Sequence, residues 1–150
     1  MSEAILEVQE VHTYIENHHI LQGLSFEACG DAVTVLIGRN GAGKSTALRT
    51  VIGLLPCSSG RIRFQGVDIQ AKRPYQIARM GLGFVPENMG IFATLTLEEN
   101  MRVAMLREDA ATNTRLEWIL DMFEDLRRSW TSKAGNLSGG QKQMLAIARA

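Results

Sequence analysis

The chain has 150 residues, of which 45% are hydrophobic, and its 16 basic residues balance its 16 acidic ones. A zero net charge argues against a protein whose main task is to grip nucleic acid or an anionic membrane, and two cysteines do not make a disulfide framework. Since no signal peptide or bilayer-spanning apolar run is evident, we expect a soluble, cytoplasmic protein.

The beginning of the chain predicts β structure. Residues 5–14 and 20–28 alternate loosely between apolar and polar, and the polar segment IENHH between them predicts a hairpin turn. His18 and His19 are therefore expected in a solvated turn rather than in a metal site. The apolar run AVTVLI, residues 32–37, is typical of a strand buried on both faces in a parallel sheet.

The middle of the chain predicts short elements that alternate between helix and strand. They are a helical pattern over residues 47–54 that ends at Leu55 and Pro56, a strand pair in GRIRFQGVDI (60–69), a short helix from Pro74 to about Met80, and a short strand LGFV (82–85) stopped by Pro86.

From about Thr96 onward the periodicity is helical. Apolar residues recur at steps of three and four and form one stripe, which predicts an amphipathic helix. The stripe consists of Leu116, Ile119, Leu120, Phe123 and Leu126. Trp118 lies off the stripe and is expected to cover a second face.

The segment GRNGAGKST follows the run AVTVLI directly and matches the pattern G-x-x-x-x-G-K-[ST] between a predicted strand and a predicted helix. Glycines allow such a loop to wrap a phosphate with backbone N–H groups pointing inward at a helix start. Lys44 would add positive charge for the β- and γ-phosphates, and the Ser45 hydroxyl is the expected Mg²⁺ ligand. The predicted nucleotide-binding residues are Gly38, Arg39, Asn40, Gly41, Ala42, Gly43, Lys44, Ser45 and Thr46.

A second glycine-rich segment, LSGGQ, opens a helix near residue 138. Its two glycines expose backbone N–H groups, and its serine can cap the helix. The segment predicts a second anion site, made of Leu137, Ser138, Gly139, Gly140 and Gln141.

The two motifs, with a helical block between them, resemble the nucleotide-binding domain of ABC transporters along the whole chain. The resemblance implies an α/β fold of the P-loop NTPase type, in which an ABC ATPase core carries an N-terminal antiparallel β subdomain and an α-helical subdomain. It implies a β subdomain and core over residues 1–87, a helical subdomain over 88–137, and the signature motif with its helix over 137–150. GFVPENMGIFATLTLEEN and KAGNLSGGQKQMLAIARA look most like the ATPase subunits of branched-chain amino-acid importers, and urea importers look similar.

The resemblance also implies partners and roles. ATP with Mg²⁺ would lie between the glycine loop of one domain and the LSGGQ of a second ATPase subunit, identical or a paralogue, with Tyr14 stacked on adenine. The alternative for Tyr14 is an ordinary strand aromatic. Glu87 occupies the place of a glutamine that serves catalysis in most members, and its carboxylate could bind Mg²⁺. Residues 88–99 would face a transmembrane permease at the inner face of the membrane, and a solute-binding protein would be served indirectly.

The resemblance implies that three further elements would follow the position of Ala150. They are a strand ending in Asp (Walker B), a catalytic Glu and a switch His. The fold is thus expected to be truncated before the Walker B strand, which would lie beside residues 32–37. An unpaired apolar edge is an aggregation hazard, so the chain alone is expected to be poorly soluble or partly unfolded, with little or no ATPase activity.

Two other functions stay open. One is a non-transport ABC ATPase acting on DNA or ribosomes, although the long coiled coil of chromosome-maintenance members is absent. The other is a naturally truncated nucleotide-binding module without catalysis.

Overall fold

The structure is a computed structural model that describes residues 4–105, 107 and 109–150. The chain divides into two compact units, Met1–Leu82 and Gly83–Ala150. None of the helices in the described part of the chain combines the length and the hydrophobicity that crossing a bilayer requires.

The first unit is built on a four-stranded antiparallel sheet with strand order β2-β1-β3-β4. Its elements are β1 (Ala4–Ile15), β2 (His18–Cys29), α1 (Lys44–Val51), β3 (Ser59–Phe64), β4 (Val67–Asp68) and α2 (Pro74–Arg79). The predicted N-terminal hairpin, the strand pair within residues 60–69 and the helix starting at Pro74 are confirmed. The hairpin turn is shorter than predicted, because His18 and His19 already belong to β2.

A β-bulge explains why the first strand alternates only loosely. The pairing of β1 with β2 shifts register between Val8 and Val11, and Glu10 has a φ of +47°. One extra residue reverses the side-chain alternation along a strand. Val8 before the bulge and Val11 and Thr13 after it are therefore all buried, while residues 12 and 14 belong to the opposite face.

The core of the first unit lies between the sheet and the two helices. Helix α1 contributes Ala47 and Val51, and helix α2 contributes Ile77. The other buried members of this core are Val8, Val11, Leu21, Ile62, Phe64 and Ile69.

The predicted strands over residues 32–37 and 82–85 are wrong for this structure, because neither segment belongs to a β-strand in the described chain. Val33, Val35 and Ile37 are 91%, 68% and 88% exposed, although Leu36 packs against the core. A strand exists only where a neighbour accepts its backbone hydrogen bonds, and the sheet of this unit is formed by other segments. The helix predicted to reach residue 54 ends at Val51.

The second unit is helical, as predicted. Its elements are α3 (Leu97–Ala104), α4 (Ala110–Met122), α5 (Glu124–Arg128), a short 3-10 helix (Ala134–Asn136) and α6 (Gly139–Ala148). Side chains fix where three of these helices begin: Thr96, Asp109 and Ser138 each accept a hydrogen bond from the backbone N–H three residues later. Thr96 and Ser138 are each part of a capping box with Glu99 and Gln141.

The predicted apolar stripe packs into the core of this second unit, but it is divided between α4 and α5, because the backbone leaves the helical region at Phe123 with a φ of −118° and a ψ of 70°. Leu120 and Leu126 are buried, and the other stripe residues are half-buried against the same core. Further buried members of the core are Leu97, Met101, Ala134, Leu137 and Leu145. Trp118, expected to cover a second face, is instead 60% exposed.

Candidate functional site

The segment of residues 38–46, called here the glycine loop, leads into helix α1. Gly41 and Gly43 have φ angles of +83° and +90°, a region that L side chains rarely adopt. At Gly43 a Cβ atom would also lie 3.1 Å from Leu21 and 3.5 Å from Ile20, so strand β2 packs against the loop here. These two positions require glycine for backbone conformation, and Gly43 also for space.

Helix α1 begins at Lys44, directly after Gly43. Gly43 provides no side-chain cap, and the first turn contains no acidic residue. The first N–H groups of a helix have no partner within it and carry a partial positive charge. This helix start is therefore suited to an anion.

The ammonium group of Lys44 lies against the glycine loop itself. Its Nζ donates hydrogen bonds to the carbonyl oxygens of Gly38 at 2.8 Å and Arg39 at 2.9 Å. A further bond, from the Ala42 N–H to the Arg39 carbonyl at 3.1 Å, closes the turn of the loop. The loop thus brings a full positive charge and a helix start to one place.

Ser45 and Thr46 lie in the first turn of α1, and both are half-buried. A serine hydroxyl is a hard oxygen donor of the kind that Mg²⁺ prefers. Within the described residues, no group of three or more His, Cys, Asp or Glu side chains could hold a metal ion. The Ser45 hydroxyl is the kind of oxygen that could serve as one ligand of a Mg²⁺ ion whose other oxygens come from phosphates and water.

Tyr14 stacks on His19 rather than standing alone. The two residues pair across the hairpin, and their ring centroids lie 4.2 Å apart with planes only 7° from parallel. Tyr14 is still 45% exposed. The prediction of a solvated turn is wrong for His19, which is half-buried and makes this ring contact. The next two residues of β2, Ile20 and Leu21, adjoin Gly43, so the Tyr14 end of the hairpin is near the glycine loop.

The LSGGQ segment forms the predicted capped helix start. Leu137 is buried in the core of the second unit. The Ser138 Oγ accepts from the Gln141 N–H at 3.2 Å, and the Gln141 Oε1 accepts from the Ser138 N–H at 2.9 Å. Gly139 and Gly140 are exposed, and a Cβ at either would have no neighbour within 4 Å. The first turn of α6 therefore presents bare backbone to its surroundings.

Glu87 lies exposed at the start of a turn that follows Pro86. This turn is connected to the end of the LSGGQ helix by Arg149, whose Nη1 donates to the Gly90 carbonyl at 2.6 Å. The Arg149 guanidinium also lies 5.1 Å from the centre of the Phe92 ring, and burial lowers the pKa of Arg149. Sequence analysis missed this link, because the two residues are 59 positions apart and no motif joins them.

Comparison with known proteins identifies relatives of this chain. Residues 21–150 match the family described as ABC transporter. The chain is 37% identical over 133 residues to the probable branched-chain amino acid transport ATP-binding protein LivF of Archaeoglobus fulgidus, which covers 88% of the chain and 56% of that protein. It is 35% identical over 147 residues to the high-affinity branched-chain amino acid transport ATP-binding protein BraG of Pseudomonas aeruginosa, covering 97% of the chain and 63% of that protein.

The fold is also that of a solved relative. The structure of an ATP-binding subunit of an ABC transporter superposes with a TM-score of 0.83 and 32% identity, over 97% of this chain and 61% of that one. The chain thus spans between 56% and 63% of the length of these relatives. On both the family match and the fold, the chain belongs to the ABC transporter family and has the α/β, P-loop NTPase fold of its ATP-binding subunits.

Proposed function

We propose that the protein carrying this chain is the ATP-binding and ATP-hydrolysing subunit of an ABC importer, which powers transport through a transmembrane partner. The observation that carries this proposal is the glycine loop. Two positive-φ glycines, the Lys44 ammonium and a helix start without acidic residues occur together there. This combination suits a triphosphate.

Each part of the loop has a distinct task. The backbone N–H groups of the loop and of the first turn of α1 would hold phosphate oxygens. Lys44, which now bonds to the carbonyls of Gly38 and Arg39, would exchange these neutral acceptors for the β- and γ-phosphates, to which its charge binds more strongly. Ser45 would ligate Mg²⁺, which when bound neutralises charge on the phosphates. Tyr14 would stack on the base through the exposed part of its ring.

The LSGGQ segment would contact the triphosphate held by a second ATPase subunit. Gly139 and Gly140 leave the start of α6 open to a large anion. The Ser138 hydroxyl caps the same helix by accepting a hydrogen bond from the Gln141 N–H. Two such subunits would close around two nucleotides, and hydrolysis would let them separate. Glu87 would support this reaction as a Mg²⁺ ligand or by orienting water.

The names of the relatives support a setting for this function. LivF and BraG are named as branched-chain amino acid transport ATP-binding proteins, so we assign branched-chain amino acids as the solute. The protein would then work on the cytoplasmic face of the membrane with two permease subunits, and with a solute-binding protein indirectly. Residues 88–99, which follow Glu87, would contact the permease. Nucleic acid has no part in this function.

The proposal can be tested on the full-length protein with a fluorescent ATP analogue and Mg²⁺. Lys44→Met should weaken binding roughly 100-fold, because a charged hydrogen-bond partner of the phosphates is lost. The matched control, Lys72→Met, removes a lysine outside the loop and should bind as the wild type does. A wild-type protein with no affinity for MgATP would overturn the proposal.

Pairing of subunits needs a second experiment. Gly139→Asp places a carboxylate at the open start of α6, where there is room for it. ATP-dependent dimerisation in light scattering should be lost, while binding at the glycine loop remains. Gln143→Glu, an exposed change further along the same helix, should dimerise normally. Uptake of labelled leucine by cells with the complete transporter would test the solute, and uptake of urea instead would refute that assignment.

A further inference from the structure

Three aromatic rings form a continuous stack on one face of the N-terminal hairpin. His19 lies between Tyr14, with ring centroids 4.2 Å apart, and His12, with centroids 5.1 Å apart and planes at 25°. His12 and Tyr14 are two positions apart on β1, so they share a face of the strand. His19 reaches them from β2, directly across from Tyr14.

The central ring is fixed by a hydrogen bond as well as by stacking. The Nδ1 of His12 and the Nε2 of His19 are 2.9 Å apart. One nitrogen must donate and the other accept, so at least one of the two rings is neutral while the bond exists. This bond restrains rotation of the His19 ring within its own plane, which stacking alone does not restrain.

The stack has a direct effect on Tyr14. The residue lies one position from the end of β1, near the turn, and is exposed. His19 covers one face of its ring with nearly parallel geometry, while 45% of the residue remains exposed. A flat partner approaching from outside therefore meets a ring that is already oriented.

We propose that His19 is a positioning residue for nucleotide-base recognition: it holds the Tyr14 ring in place for a purine, and His12 holds His19. This inference rests on the proposed function, in which Tyr14 receives the base. A pre-oriented ring loses less conformational freedom on binding, so the base binds more tightly. His19 itself acts through Tyr14 and does not touch the base.

The test compares two ligands of the full-length protein, MgATP and inorganic tripolyphosphate with Mg²⁺, by calorimetry. Only ATP has a base. His19→Ala should weaken MgATP binding roughly five-fold, a part of what aromatic stacking on a base contributes, and leave tripolyphosphate binding unchanged. His19→Phe keeps a flat ring and should restore most of the ATP affinity. His18→Ala, the exposed neighbour, is the control and should match the wild type for both ligands.

The outcomes separate the two proposals. Tyr14→Ala should remove the preference for ATP over tripolyphosphate more completely than His19→Ala. If Tyr14→Ala leaves the preference intact, the proposed base site itself is wrong. If Tyr14→Ala abolishes it but His19→Ala does not change it, the positioning role alone is overturned. Equal weakening of both ligands by His19→Ala would also overturn it, because that pattern indicates general damage to the fold.

Discussion

Thr13 and Thr50 join the first strand to the helix that follows the glycine loop. Their hydroxyl oxygens lie 3.1 Å apart, and the two residues are 0% and 2% exposed. The Thr50 hydroxyl also donates to the Thr46 carbonyl at 2.9 Å. Because a hydroxyl has one proton, Thr13 is the donor in the bond between them. Strand β1, which carries Tyr14, is thus tied to helix α1, which begins at Lys44.

Thr50→Val should destabilise the protein by about 1–3 kcal/mol, because it leaves the buried Thr13 hydroxyl without its acceptor. The double variant Thr13→Val/Thr50→Val should cost less than the sum of the two single changes, because no unpaired hydroxyl remains at the contact. Urea unfolding of the four proteins in a double-mutant cycle measures this coupling. Strict additivity would show that the two hydroxyls do not interact.

Gly60, in β3, and Gly66, in the turn between β3 and β4, should respond differently to the same substitution. Gly60 and Gly66 have φ angles of +97° and +75°, but a Cβ at Gly60 would collide with the Glu10 carbonyl, whereas Gly66 has open space. We expect Gly66→Ala to cost about 1 kcal/mol from backbone strain alone, and Gly60→Ala about 3 kcal/mol or more. Thermal unfolding of the two variants measures the difference in stability. An equal loss of stability in both variants would contradict the close packing of Gly60 against Glu10 at the bulge.

Asn100 should hold the segment that precedes helix α3. The residue is fully buried; its Oδ1 accepts from the Phe92 N–H, and its Nδ2 donates to the carbonyls of Phe92 and Thr96, all at 2.9 Å. Asn100→Asp turns a donor into a carboxylate oxygen that faces carbonyl oxygens.

We therefore expect Asn100→Asp to destabilise the protein by about 3 kcal/mol at neutral pH and to recover in part on acidification, when the new carboxyl becomes protonated. Asn113→Asp, at an exposed position of α4, serves as the control and should change little. The measurement is denaturant unfolding at pH 7 and pH 5. A loss that does not depend on pH would show that the carboxylate is not confined against the carbonyls.

Glu99 should make the stability of the second unit sensitive to acid. Hydrogen bonds to the Thr96 N–H and hydroxyl lower the pKa of Glu99. A carboxyl whose folded pKa lies below its unfolded value of about 4.3 contributes stability above that pH, and the contribution is lost as pH falls through the folded pKa. Glu99→Gln retains an oxygen that can accept from Thr96 but cannot titrate.

The stability of the variant should therefore fall less than that of the wild type as the pH is lowered from about 5 to about 3. The melting temperature at each pH, followed by circular dichroism, measures this. Parallel pH profiles for the two proteins would contradict a stabilising role of the ionised carboxylate in the capping box.

The sequence by itself determined the features that depend on neighbouring residues. Ser138 and Gln141 make a capping box three positions apart, and Gly41 and Gly43 allow positive φ within one loop. The stripe residues of α4 are buried or half-buried on one face because the helix period is fixed by its own backbone. These local rules predicted the glycine loop and the capped start of α6 before any contact was known, and the resemblance of the two motifs to a known family indicated the fold.

Only the tertiary structure decided the features that need a distant partner. Residues 32–37 have the composition of a buried strand, yet they form none here, because strand formation depends on a neighbour that composition does not specify. The bulge at Glu10 decides which side chains of β1 enter the core. His19 became part of the Tyr14 stack, rather than of a turn, because cross-strand register places the two rings face to face. Contacts between residues far apart in the chain are set by packing geometry, which no local pattern encodes.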